Sequence, residues 1–129
     1  MNSKEKRTGI INNKFKPCPK TPNCVSTMAP NDDIKHYISP ISYNSSQKEA
    51  LEKLIQIINS LKGTKIRVKE INYIHVIFST KLLRFKDDVE FYFDDLSKII
   101  HFKSASRIGS SDLGTNRKRM EKIRKLYSR

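Results

Sequence analysis

A chain of 129 residues with 36% hydrophobic content can bury one core without metal or disulfide staples, and it is too short for two ordinary domains. No apolar run approaches the roughly 18 to 20 residues that span a bilayer, and residues 1–30 lack a signal-peptide h-region, so the absence of a leader points to a cytoplasmic location. The formal net charge of +13 is concentrated at the ends: residues 1–20 carry +5, residues 114–129 carry +6, and the body between them carries only +2. Two basic ends could contact a phosphate backbone, but nucleic acid is not the favoured partner. Aromatics do not interleave with the cations, and no basic helix carries regularly spaced Asn or Gln.

In chain order, residues 1–14 are polar, cationic and aperiodic, which reads as a flexible basic arm before a single α+β domain over residues 15–129. In KPCPKTPNCVSTMAPND, from Lys16 to Asp32, Pro17, Pro19, Pro22 and Pro30 remove donors that a helix or central strand needs, so this is an ordered or stapled loop. Residues 34–43 lean toward strand but contain Pro40, which suggests a short edge strand. Ser46 with Glu49 forms a capping-box signature, and Ala50, Leu51, Leu54, Ile55, Ile58 and Leu61 follow at helical spacing, with Gly63 as the left-handed C-cap. Strands are expected over residues 66–71, 73–80, 89–93 and 98–104. Val89, Phe91 and Phe93 alternate with Glu90 and Tyr92, and Asp94 to Ser97 has hairpin-loop chemistry. A last helix starts at Thr115 or Asn116 and buries Met120, Ile123 and Leu126 or Tyr127. The expected fold is an antiparallel sheet of four to five strands with one long helix and a C-terminal helix packed on it.

Three blocks carry a family resemblance: CPKTPNCVS at Cys18–Ser26, FKDDVEF at Phe85–Phe91, and SASRIGSSDLGTNRKRMEKIR at Ser104–Arg124. Together they resemble the signature blocks of the bacterial and plastid family catalogued as domain of unknown function 1499. The resemblance implies a small α+β domain, in other members often exported or membrane-associated, and it brings no defined activity. The chain departs from those members in showing no leader.

Cys18 and Cys24 are the only cysteines, with five residues between them. A disulfide there would contribute roughly 2 kcal/mol by ordering the start of the domain. Two inert thiols or a metal contact are the other readings, although His36, His75 and His101 show no ligand spacing, and no cofactor motif is present. Asp87 and Asp88 read as one turn cap and one partner of Arg84 or Lys86, rather than an acid/base pair. His75 and His101 read as half-buried strand residues. Ser104, Ser106, Ser110, Ser111, Asp112 and His101 invite a hydrolase reading, but the loop is not G-x-S-x-G and has no nucleophile elbow.

The helix N-terminus near residue 115 supplies the strongest functional signal. Its unpaired N–H groups and macrodipole favour acids, yet its first turn holds Arg117, Lys118 and Arg119, with Arg107 just upstream. Compensation comes from Asp112, from Glu121, or from an external anion: phosphate, carboxylate or a lipid headgroup. As an anion site, the loop would use Arg107, Arg117 and Arg119 as cations and Ser104, Ser106 and Ser111 as hydroxyls. Asp112 and Asn116 would orient these groups, and Gly109 and Gly114 would allow close backbone approach. The alternative is a structural or protein-interaction module in which the same residues lock the loop; an enzyme of unknown reaction stands third.

Overall fold

The computed structural model describes residues 7–80, 84–109 and 111–129. A small hairpin comes first, β1 (Ile10–Ile11) and β2 (Lys14–Phe15), turned by Asn12 and Asn13 with positive φ. Asparagine tolerates that conformation better than most side chains. Next come two short strands, β3 (Cys24–Ser26) and β4 (Ile41–Ser42). Helix α1 (Gln47–Ser60) opens with the expected capping box, Ser46 Oγ accepting from Glu49 N at 3.1 Å and Glu49 Oε1 accepting from Ser46 N at 3.3 Å. Strands β5 (Thr64–Lys69), β6 (Tyr73–Ser79), β7 (Lys86–Asp94) and β8 (Ile99–Ser106) follow, and α2 (Thr115–Ser128) ends the chain.

Among the described residues, the paired strands are antiparallel, in the order β3-β8-β7-β6-β5, with β4 pairing β8 beyond β3, making a sheet of six strands where the sequence suggests four to five. β4 falls within the short edge strand expected over residues 34–43, and the strand not expected, β3, is three residues long, too short to show a period of two. Both helices lie on one face, where Leu54 and Ile58 of α1 and Met120 and Ile123 of α2 pack on Val76, Val89, Phe91, Ile100 and Phe102. Each of these side chains is buried, and each contributes roughly 1.5 to 3 kcal/mol relative to exposure.

Several local expectations are corrected. Helix α1 is capped at Leu61, and Gly63 lies in the turn beyond, with φ +77°; its carbonyl accepts from Ser79 N at 2.8 Å, and a Cβ there would sit 2.7 Å from Ser79 O. Lys98 is a positive-φ turn residue rather than the start of β8. Of the basic arm, residues 10–14 belong to the hairpin that closes at Phe15, and Gly9 N donates to Glu90 Oε2 at 2.7 Å; Met1 to Lys6 lie outside the described residues.

Candidate functional site

Alternation along β7 separates two neighbouring aspartates. Asp87 shares the helical face with Val89, Phe91 and Phe93, while Asp88, Glu90 and Tyr92 face the other way. Both aspartates are buried within the strand, at 3% and 6% exposure, so neither caps a turn and neither pairs with Arg84 or Lys86.

On the helical face, Asp87 Oδ2 accepts from Arg119 Nη2 at 2.7 Å. Arg119 also donates to Ser104 Oγ at 3.2 Å and Asn116 Oδ1 at 2.9 Å, and its guanidinium lies 4.8 Å from the Phe78 ring centre. Asn116, 1% exposed, joins this cluster to the loop: its Nδ2 donates to Ser106 Oγ at 2.9 Å and to Asp112 Oδ2 at 2.6 Å. Asp112 in turn accepts from Gly114 N at 2.8 Å and Asn116 N at 3.0 Å. Burial pushes the Asp112 carboxyl up, but the bonds from Asn116 and Gly114 outweigh burial and hold it below the ordinary carboxylate value. The start of α2 is therefore met by the chain's own carboxylate. Gly114, with φ +81°, is the N-cap and has no capping side chain.

The open face is also polar and buried. Neighbouring strands place His75, Glu90 and Lys103 in one row, and Asp88 and Ala105 in the next row with Cys24. Diagonal bonds join the rows. His75 Nε2 lies 2.7 Å from Asp88 Oδ1, and Tyr73 Oη donates to Glu90 Oε2 at 2.6 Å. Arg107 binds Asp88 with two donors, Nε to Oδ2 at 2.9 Å and Nη2 to Oδ1 at 3.0 Å. Burial raises the Asp88 carboxyl, but hydrogen bonds from His75 and Arg107, with their charges, hold it well below the usual range. Burial pushes Glu90 up, only partly offset by Tyr73 and Gly9, and burial pushes the Lys103 ammonium down. The Lys103 Nζ donates to the Lys16 carbonyl at 2.8 Å.

Above these groups lies a pocket of about 400 Å³, lined by Arg7, Lys16, Lys103 and Arg107, by Asp88 and Glu90, and by Ser106, Gly109 and the loop carrying Pro17, Pro19, Thr21 and Asn23. Cys18 and Cys24 are bonded to each other, with Cα atoms 5.7 Å apart, and brace that loop. Asn23 Nδ2 ties the loop to Gly109 O at 2.8 Å.

The structure thus divides the residues singled out by sequence. Ser104, Asp112, Asn116 and Arg119 form the closed network under α2, with Ser106 at its margin; Arg107, Ser106 and Gly109 reach the pocket. Arg117 turns elsewhere, donating to the carbonyls of Ile34 and Lys35 at 3.3 Å each. Ser111 and Gly114 stay on the loop, Ser111 beside a smaller cavity with Asp112 and Leu113, and Ser110 lies outside the described residues. Glu121 pairs with Arg124, not with the first turn. Sequence reasoning missed Glu90, Lys103, Tyr73 and Lys16. The polar half of an alternating strand reads as solvated, whereas here the N-terminal segment, aperiodic and cationic in sequence, and the Cys18–Cys24 loop cover it.

A family model matches residues 14–126, from β2 almost to the end of α2. The chain belongs to the family described as protein of unknown function (DUF1499). Within this DUF1499 domain, the Cys18–Ser26 and Phe85–Phe91 blocks lie on β3 and β7 with their flanking segments, the Ser104–Arg124 block runs from the end of β8 into α2, and β8 is paired between β3 and β7. All three blocks contribute residues to the pocket. No curated protein and no solved structure matches the chain. Among the described residues, no helix is long and apolar enough to cross a membrane, and no group of three or more His, Cys, Asp or Glu side chains could hold a metal ion.

Proposed function

We propose that this domain binds a small anionic ligand, carrying a phosphate or carboxylate group, in the pocket between the Cys18–Cys24 loop and the segment leading from β8 to α2. The observation that carries this reading is the charge of the lining: Arg7, Lys16, Lys103 and Arg107 face two carboxylates, and one of these, Asp88, is already matched by Arg107 and His75. A cationic pocket with buried walls concentrates field on an anion more strongly than the same charges spread over a convex surface. Arg107 is the central donor, with the backbone at Gly109 beside it, so the anion sits next to the loop before α2 rather than on the helix N-terminus. Binding needs no chemistry from the domain.

The second reading, a module whose loop residues act as a lock, is supported by the closed Asp87–Arg119–Asn116–Asp112 network. The two readings apply to different faces of the sheet and are compatible.

Thermal melts with added phosphate or citrate test the binding reading, because a ligand that binds only the folded state raises the melting temperature with concentration. The parent protein and Arg117→Ala should respond alike, while Arg107→Gln and Lys103→Met should lose the response. A parent protein whose melting temperature ignores both anions at low ionic strength would overturn the reading.

A further inference from the structure

The pocket and the Cys18–Cys24 bridge are built from the same loop, and we propose that the redox state of this bridge sets the pocket's affinity for its anion. The inference rests on the binding reading above and adds a control to it. Cys24 is fully buried on β3, opposite Ala105 of β8, so one end of the bridge is fixed to the sheet. Cys18 belongs to no strand, and the bridge fastens it, with Lys16 and Pro17 just before it, to β3. The ring that the bridge closes contains Pro19, Thr21 and Asn23, and all three line the pocket.

Little backbone hydrogen bonding can replace the bridge, because Pro17, Pro19 and Pro22 have no N–H to give. Among the described ties, one is a backbone bond, Ser106 N to Asn23 O at 3.0 Å, and the others named here are side-chain bonds: Lys103 Nζ to Lys16 O at 2.8 Å, His36 Nε2 with Thr21 O at 2.9 Å, and Asn23 Nδ2 to Gly109 O at 2.8 Å. The tie through Lys103 also positions a cation of the site. Opening the ring therefore loosens the wall and the Lys103 ammonium together, whereas the Arg107–Asp88 pair on β8 and β7 keeps its place.

Half-buried Cys18 is the reachable sulfur. A dithiol reductant attacks it as thiolate, breaking the S–S bond and releasing the Cys24 thiolate, which takes up a proton. The reductant's second thiolate then attacks the mixed disulfide, leaving Cys18 as a thiol and the reductant as its own disulfide. Two electrons and two protons reach the protein.

The experiment is calorimetric titration of phosphate into oxidised protein, into protein reduced with dithiothreitol, and into a Cys18→Ser/Cys24→Ser double variant, with hydrogen exchange on the first two. The reduced protein and the double variant should bind phosphate at least about tenfold more weakly than the oxidised protein. Only the oxidised form should change on adding dithiothreitol. Exchange should quicken in residues 16–24 and at the Ser106 amide, which donates to Asn23 O at 3.0 Å, while β6 and β7 stay protected. Equal phosphate affinity in the oxidised and reduced proteins would overturn the coupling and leave the binding reading standing. No binding in either state would overturn both. Global unfolding on reduction, seen as loss of protection throughout the sheet, would overturn the coupling as a local device.

Discussion

Asp87 and Asp88 are consecutive residues that each meet an arginine, on opposite sides of one sheet. The Asp87–Arg119 pair has side chains 4% and 11% exposed and is boxed in by Ser104, Asn116 and the Phe78 ring. The Asp88–Arg107 pair is 7% and 29% exposed, with its arginine at a pocket. The chemistry of the two pairs is the same, so the access of each arginine to solvent decides whether it can serve as scaffold alone or also meet a ligand. A desolvated pair costs stability when broken, because the surviving charge stays buried.

Breaking the closed side should give the largest effect. Arg119→Met strands Asp87 and removes two further bonds, and should destabilise by about 3 to 5 kcal/mol in urea unfolding. A loss below about 1 kcal/mol would mean that water reaches Asp87 and that the two faces do not differ as described. Asp112→Ala comes next, since its carboxylate serves two amides at the start of α2 and the Asn116 side chain; a loss of about 1 to 2 kcal/mol is expected.

The open side can be read by pH. Asp88 titrates well below the ordinary carboxylate range when folded, so its stabilisation is complete above that ordinary range and disappears as pH falls through the folded value. Glu90 is shifted the other way: ionised it is a penalty, relieved as pH falls from its raised value toward the ordinary one. Asp88→Asn should therefore be less stable than the parent near neutral pH and flatter on the acid limb, as measured by urea unfolding across pH. An acid limb as steep as the parent's would remove Asp88 from the account. Arg117→Ala should have the smallest effect, within about 0.5 kcal/mol by the same unfolding measurement, because its donors meet two exposed-segment carbonyls and no carboxylate.

Much of the frame was legible in the residues because it is local. The capping box at Ser46 and Glu49, the alternation of Val89, Phe91 and Phe93, and the stripe of Met120 and Ile123 depend on contacts a few residues apart or on one buried face. Gly63 shows where local reading stops. Its positive φ was visible as a glycine after a helix, but its tight approach to Ser79 belongs to the strand that returns beside it.

The candidate site was half legible. Arg107, Ser106 and Gly109 were singled out, together with residues that turn out to face the core or, like Arg117, another loop. A stretch of serines, glycines and arginines before a helix looks like one site in sequence, and strand β8 then sends alternate residues to opposite faces: Ser104 and Ser106 toward α2, Lys103 and Ala105 toward the pocket. Glu90 and Lys103 looked solvated because the polar members of an alternating strand usually are.

Sequence by itself determined that this chain folds as α+β, where its two described helices begin, which apolar residues fill the core, and that cationic groups crowd the approach to α2. Those properties follow from propensity, periodicity and charge, which act over short stretches of chain. Only the tertiary structure decided that the N-terminal segment covers the second face, that Asp112 meets the helix N-terminus, and that three distant blocks share one pocket. Each of these depends on strand order and on burial by segments far apart in the chain, and burial is what turns ordinary charged side chains into ion pairs that either hold the fold or wait at its surface.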